Sequence, residues 1–492
     1  MSSASEPSGA PPAKVRFVDK MRAAPDEASA SGGQSASRLG QLSWAWFEGA
    51  RNPHVLLITI YIFAPYFYSH LVGDPVRGQS LWGDLNSLAG LIIALLAPVL
   101  GAVADAGGRR KPWLFLFSTA LALTAIALWY ALPNGAGLSL AAICVLLVAT
   151  IVAFDFTAVF HNAMLPTLVP DKQVGRLSGL ALALGNFSGV ILFVFMLVCF
   201  VLPGVVDWPF IPSEPLFGVD KSAFEPERMV GPLFAVWFVI FGLPLFFFTP
   251  DQPRVTLGPV AAARRGLTSL VRTIRSLRNY KNVGTFLLVR MLYNDGCNAV
   301  LIFGGGYAAT TFGWTTLDLL VYGVILSVFA TYGGVFGGWV DHRFGSQKGL
   351  LIAVGGTMVG LVLSLSMRPD TILFFFPYDP ASPPVHGLPF FETLPEILYV
   401  CVVILIAIFI TASYANSRTM MARIAPVSKM AEFFGLYALS GTATAFLAPF
   451  VVARFTEWSG SNAIGLASIL ILLGAGWIGM LYVSTERAPT AD

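Results

Sequence analysis

The sequence predicts an all-α membrane protein of twelve transmembrane helices in two pseudo-symmetric six-helix bundles. Three observations carry this expectation. Of 492 residues, 56% are hydrophobic and only 12% charged, with a mean hydropathy of +0.72, whereas a soluble globular chain carries about 25% charged residues. Twelve stretches hold the roughly 20 mostly apolar residues that cross a bilayer as a helix. The two halves of the chain also repeat each other's polar punctuation.

The first half supplies spans at 43–71, 84–105, 113–132, 137–160, 176–202 and 231–249. The second supplies 283–311, 317–340, 348–367, 395–415, 433–454 and 462–483. Around them the chain divides into a tail over 1–40, an N-terminal bundle over 41–250, a linker over 251–281, a C-terminal bundle over 282–484 and a short tail over 485–492. The first tail is rich in Ser, Ala, Pro and Gly without apolar periodicity, so disorder is expected there. No apolar core follows its basic residues, so no cleaved signal peptide is expected. In the linker, Leu267, Leu270, Val271, Ile274 and Leu277 recur at helical spacing among Arg265, Arg272, Arg275 and Arg278. That pattern fits a helix lying on the inner leaflet, with a regulatory partner site as the alternative. The loops 203–230 and 368–394 are long and Pro-rich and could form a lid.

Lys and Arg in the loops set orientation. With both termini on one side, that side collects 24 of the 30 Lys and Arg residues, the other side five, and Arg290 lies within a span. Both termini are therefore expected in the cytoplasm, with the protein in the inner cell membrane.

The polar hairpin Gly101-Ala-Val-Ala-Asp105-Ala-Gly-Gly-Arg109-Arg110-Lys111-Pro112 separates the second and third spans. Small residues at Gly101 and Ala104 allow close helix approach. Gly107 and Gly108 supply the turn, and Pro112 suits the first turn of the next helix. The pattern returns in the second half as Gly337-Gly-Trp-Val-Asp341 followed by Arg343. Pro170 and Gly179 match Pro426 and Gly435, and Glu48-Gly49 matches Asp295-Gly296. A repeat of this kind places a substrate site between the halves near mid-membrane.

This hairpin resembles the loop 2–3 signature of the major facilitator superfamily. There the Asp and the first Arg, here Asp105 and Arg109 with Arg110 beside them, belong to a charge latch holding one alternating-access state. Three further strings narrow the likeness: His161-Asn162-Ala-Met-Leu-Pro166 with Gly175-Arg176-Leu-Ser-Gly179; Arg290-Met-Leu-Tyr293-Asn294-Asp295-Gly296; and Asn416-Ser-Arg418 with Ala431-Glu432-Phe-Phe-Gly-Leu-Tyr437. From about residue 43 to 483 the chain resembles the vacuolar amino-acid effluxer group tied to autophagy and its bacterial relatives. That group usually opens Y-D-W-A-N-S. Here Phe47-Glu48-Gly49-Ala50-Arg51-Asn52 keeps an acid and adds a cation. The resemblance implies the major facilitator fold, secondary transport and no enzymatic activity.

Charges inside a membrane helix cost roughly 2.5–3.5 kcal/mol or more unless partnered, so the candidates for function are few. Arg290, Asn294 and Asn298 share one face of the seventh span, with Asp295 one residue round. Either Arg290 meets an anionic group such as a substrate carboxylate, or it forms a structural ion pair with Asp295 or Asp155. Glu48, Arg51 and Asn52 share a face of the first span and are either site residues or interfacial. Asp155 lies deep enough for its charge to be costly, which suits a proton-coupling acid, the alternative being a helix–helix hydrogen bond. His161 reads as a satisfied or solvated histidine. Arg418 and Glu432 are expected to join Asp341 and Arg343 in a second-half latch. The four cysteines lie in apolar runs without metal spacing, and no P-loop is present, so neither metal nor cofactor is expected.

The expected function is a monomeric secondary transporter of a small polar solute, with an amino acid or other carboxylate foremost, and with membrane lipids but no nucleic acid as its other partners. Proton coupling through Asp155 or Glu48 is one option. A non-transporting membrane sensor or scaffold and a lipid transporter are the alternatives.

Overall fold

A computed structural model describes residues 27–486 except 205–207, 210, 315, 388–389, 427–429, 443, 445–446 and, within 254–279, all but 261, 264, 268 and 271. In chain order, α1 is Arg38–Leu71, α2 Pro75–Gly107, α3 Lys111–Tyr130 and α4 Leu140–Met164. The first half closes with α5 Val174–Met196 and α6 Glu225–Phe248. The second half opens with α7 Lys281–Phe312, α8 Thr316–Phe344, α9 Ser346–Leu365 and α10 Leu394–Ile424. Two short pieces follow, α11a Met430–Thr442 and α11b Leu447–Ser459, and then α12 Asn462–Met480. Among the described residues, eleven helices are long and apolar enough to cross a membrane. The missing span is α11. Each of its pieces has 13 residues, about 20 Å of helix, so neither crosses alone, and together they make the twelfth passage.

Sequence chemistry explains the irregularities. Pro53 cannot donate an amide and its ring crowds the preceding turn. Beyond it α1 continues as wide π-helical turns over Val55–Tyr61 and Phe67–Leu71, a local form that often marks functional sites. Gly108, with φ of +79°, stops α2. Asp251 then caps α3 by accepting from the amides of Arg110 (3.0 Å) and Lys111 (3.2 Å), a carboxylate at the positive end of a helix.

Two glycine pairs in α8 set its packing, one within its own half and one against the other half. Gly333 and Gly337 let α8 press on α10, where an added Cβ would meet Ile408 O at 2.6 Å or Ala412 Cα at 2.8 Å. One residue round the helix, Gly334 and Gly338 do the same toward α5. A Cβ on Gly334 would meet Ala183 N at 2.6 Å, and one on Gly179 would meet Gly334 O at 2.6 Å. The same helix thus offers one small-residue stripe to its own half and another to the opposite half. The second contact between the halves is α2 on α11a. The variant Gly179→Val inserts an isopropyl group where backbone touches backbone. It is expected to destabilise the seated halves by about 1–3 kcal/mol and to lower cross-linking yield between cysteines placed across the α5–α8 seam.

The expectation of a disordered tail over 1–40 is corrected for its described part. Residues 28–34 form a small hairpin with Ala28 bridged to Gln34. The amides of Ala30, Ser31 and Ala36 donate to the carbonyls of Val169, Pro166 and Leu168 in the α4–α5 connection. Backbone pairing, which leaves no mark in composition, orders it, and α1 begins at Arg38, capped by Ser37 Oγ. Residues 1–26 and most of the proposed amphipathic linker lie outside the described residues. In the 368–394 loop, Thr371–Ile372 (β1) and Phe376–Pro377 (β2) pair antiparallel.

Candidate functional site

Glu48, Arg51 and Asn52 occupy one face of α1 and all point inward, so the interfacial alternative is corrected: Glu48 and Arg51 are each 6% exposed. Glu48 Oε1 accepts from Arg51 Nη1 at 3.1 Å. The Arg51 guanidinium lies over the Phe154 ring, 4.0 Å from its centroid, and donates to the Phe154 carbonyl at 3.3 Å. Asn52 donates to Asn186 of α5, whose own amide donates to Ala330 O of α8. A polar thread thus runs from α1 through α5 into the second half. Asp155, on α4, is half-buried and, among the described residues, makes no hydrogen bond or ion pair.

His161 is fully buried and stacks on Trp44, with ring centroids 4.3 Å apart. Trp44 Nε1 donates to the His161 carbonyl at 2.9 Å, and His161 Nε2 sits 2.8 Å from the Trp44 carbonyl. Its other nitrogen, Nδ1, faces Glu48 Oε2 at 3.5 Å.

The expectation that Arg418 joins a second-half latch is corrected. Arg418 leaves α10 and enters the first half. Its Nε donates to Ser178 Oγ, its Nη2 to Ser178 O and its Nη1 to Asn162 Oδ1, each at 2.9 Å. Nη1 also lies 3.8 Å from Glu48 Oε2. One guanidinium from the second half is therefore bound by α1, α4 and α5 of the first, and it is buried there.

Arg290, in α7, is 7% exposed. Its Nη1 donates to Tyr437 O and Ser440 Oγ at 2.7 Å each, and its Nε to Ser417 Oγ at 3.3 Å. The guanidinium stacks 3.5 Å from the Tyr437 ring centroid. The ion-pair alternatives with Asp295 and Asp155 are corrected. Among the described residues all the partners of Arg290 are neutral. Asp295 is spent elsewhere, its Oδ2 accepting from Ala448 N at 3.0 Å at the start of α11b. Helical spacing placed Asp295 near Arg290, but a broken α11 gave that carboxylate a free helix N-terminus to cap. Asn294 is buried one turn above Arg290, and Asn298 accepts from Tyr414 Oη at 2.6 Å. The discontinuous helix beside a buried cation is the arrangement by which transporters build sites within a bilayer.

At the basic face, Asp341 takes a bidentate pair from Arg423, with both contacts at 2.9 Å, and a hydrogen bond from Ser346 Oγ. It packs directly on Gly175 at the start of α5. Arg423 also reaches Asp171 of the first half at 3.9 Å. Arg343, expected in this latch, is exposed and rests 5.6 Å from the Phe344 ring centroid. In the first half, Asp105 pairs with Arg110 at 2.9 Å rather than with Arg109, which is half-exposed and lies 3.7 Å from Asp251. Within the turn that follows Gly108, it is the second cation that folds back over α2. The Glu432 side chain lies outside the described residues. Arg423→Ala leaves the Asp341 carboxylate buried without its cation and is expected to cost about 3–5 kcal/mol. That loss reads as a lower unfolding temperature of the solubilised protein, largely restored by adding Asp341→Asn.

Of the functional groups now in view, His161 was discounted, and Asn162, Ser178, Arg423 and Asp251 were not singled out as site residues. Only the Asn162 and Arg418 strings hinted at them, as paired polar residues at the ends of two otherwise apolar helices.

The model of a family described as vacuole effluxer Atg22 like matches residues 68–367 and 391–491. The uncharacterized MFS-type transporter YxiO of Bacillus subtilis (strain 168) is 22% identical over 459 residues, covering 91% of this chain and 95% of that protein. Autophagy-related protein 22 of Coccidioides immitis (strain RS) is 24% identical over 280 residues, 53% of this chain and 43% of its own length. Among solved structures, the proton:xylose symporter XylE matches with a TM-score of 0.60 at 12% identity, covering 92% of this chain and 95% of XylE. The human organic anion transporter MFSD10 matches with a TM-score of 0.55 at 14% identity, covering 91% and 98%. These structural likenesses establish the major facilitator fold.

Proposed function

We propose, from the premise that this chain belongs to the Atg22-like vacuole effluxer family, that it is a secondary active transporter of a small polar solute bearing a carboxylate, with an amino acid first among the candidates. The observation that carries the solute class is Arg290, a buried guanidinium held only by neutral groups among the described residues. A full positive charge kept at such depth without a counter-ion is costly, and an anionic solute supplies the missing charge when it binds. Arg presents a planar fork of donors that matches a carboxylate in two contacts. The serines and tyrosine now occupying it are the neutral placeholders that a bound carboxylate would displace or join.

The transport cycle is alternating access. The basic face is the cytoplasmic face, and the seated Arg418 together with the α5–α8 seam describes a conformation closed on that side. Release of Arg418 from the first half lets the two bundles rock and opens the site inward. The acids Glu48 and Asp155, beside Arg51 on the opposite side of the seam, are candidates for coupling this motion to protons. The protein acts as a monomer in the cell membrane with both ends of the chain in the cytoplasm. A thermal-shift screen of the purified protein against amino acids, organic acids, peptides and sugars tests the solute class. Stabilisation by carboxylates alone is expected. Stabilisation by uncharged sugars and not by any carboxylate would remove the assignment to Arg290.

A further inference from the structure

We infer that Glu48 and His161 form a one-proton binding site, and that occupation of this site releases Arg418 from the first half. The inference rests on the transport reading above and adds to it the atoms that hold the proton and the contact that the proton breaks.

A carbonyl oxygen only accepts, so the 2.8 Å contact between His161 Nε2 and the Trp44 carbonyl requires the ring hydrogen on Nε2. In the neutral ring Nδ1 is then a bare acceptor. It faces Glu48 Oε2 at 3.5 Å, an ionised oxygen that also only accepts. Neither atom has a hydrogen-bond partner, and both are buried, His161 at 0% and Glu48 at 6% exposure. Two buried acceptors pointed at each other are unfavourable as they stand, and one proton placed between them satisfies both. The stacking of Trp44 on the imidazole and its reciprocal hydrogen bond to the His161 carbonyl hold the ring, so the geometry is built rather than incidental.

Binding changes the charge that its neighbours feel. The proton comes from water and remains on Oε2 or Nδ1, and no covalent bond is broken. In either location the pair passes from one negative charge to none. Two guanidiniums face it: Arg51 of α1, 3.1 Å from Oε1, and Arg418 of α10, 3.8 Å from Oε2. The other titratable groups stand behind Arg51: Asp155 of α4 has no ion pair among the described residues, and His54 of α1 stacks on Phe154. Arg51 is tied to the first half by its own backbone and by Phe154. Arg418 is the cation free to leave, because it belongs to the other half. Neutralising the pair removes its attraction for Arg418 and leaves two like charges close together, which favours withdrawal of α10 and opening of the cytoplasmic face.

The test uses the full chain in lipid nanodiscs. Spin labels are placed at Lys172→Cys and Arg343→Cys, two exposed positions on opposite halves at this face, with the four native cysteines replaced. The distance distribution is recorded between pH 5 and pH 9. The expected result is a short distance at high pH that converts to a longer one as pH falls. Glu48→Gln should give the long distance throughout the range. His161→Gln should move the midpoint down by about one unit or more, since the glutamine amide can donate to the ionised carboxylate where the bare Nδ1 cannot. If the wild-type distribution ignores pH while Arg418→Ala lengthens the distance, the clamp stands and the proton site is overturned. If neither pH nor Arg418→Ala changes the distance, the rocking cycle falls and the proton site with it. The wild-type titration can overturn the proton site even if either site variant fails to fold.

Discussion

Arg418→Ala should open the basic face of the protein. The side chain makes three hydrogen bonds of 2.9 Å to Asn162 and Ser178 and approaches Glu48, all across the boundary between the halves. Removing one partner of a buried charged contact costs about 3–5 kcal/mol. Here that cost falls on one conformation rather than on folding, because an opened second half lets Glu48 reach water. The ratio of closed to open molecules should therefore fall by roughly two to four orders of magnitude. Disulfide cross-linking between Lys172→Cys and Arg343→Cys reads the change directly, as a yield that drops when Arg418→Ala is added. Arg418→Lys keeps the charge but cannot span Ser178 and Asn162 together, so it should fall between the two. An unchanged yield with Arg418→Ala would show that the α5–α8 seam alone holds the face shut.

The second large effect belongs to Arg290→Ala. Truncating one member of a buried hydrogen-bonded charge pair costs about 2–5 kcal/mol or more of binding, so affinity for a carboxylate solute should fall roughly 30-fold to several thousand-fold. The same side chain also holds Tyr437 O and Ser440 Oγ, so a melting curve must show that the variant remains folded. Arg290→Lys supplies the control, because it retains a cation without the planar fork and should recover part of the affinity. Calorimetric titration of the solute identified by screening gives both numbers. Equal affinity in wild type and Arg290→Ala would place the carboxylate elsewhere.

Much of the fold was legible because the membrane restricts the choices. A span must be apolar for about 20 residues, and the loop cations mark the sides. Most predicted and observed helix ends therefore agree to a few residues; the exceptions are α2, which begins at Pro75 rather than 84, and α10, which runs on to Ile424 because Asn416 to Arg423 face protein rather than lipid. The break in α11 was not read, although Gly441, Thr442 and Thr444 all have low helical preference. The half-helix needed an outside cap, and only the folded chain reveals that Asp295 supplies it.

The costly charges were legible in the sequence, but their pairing and their neutral partners Asn162 and Ser178 were not. Costly charges named Glu48, Arg51, Asp155 and Arg290, and the repeat named Asp105 and Asp341. Which cation meets which anion depends on helix rotation and on contacts between the halves, and neither is encoded in spacing along one helix. Arg418 and Arg343 both left the expected latch for that reason. Arg418 sits on the face of α10 that meets the other half, whereas Arg343 lies past the end of the buried stripe of α8 and Arg423 takes its place beside Asp341. His161 was discounted because a lone histidine at a helix end is ordinarily solvated, and only the stacked Trp44 and the facing carboxylate give it a part.

Solute flux in sealed proteoliposomes bears most directly on the claim that this chain carries a carboxylate solute through a site at Arg290. The wild-type protein, loaded with the carboxylate that stabilises it most, should exchange labelled solute across the bilayer with saturation, and the folded Arg290→Ala variant should do so at background rate. Saturable exchange at equal rates in both proteins, or no exchange of any carboxylate by the wild type, would contradict it.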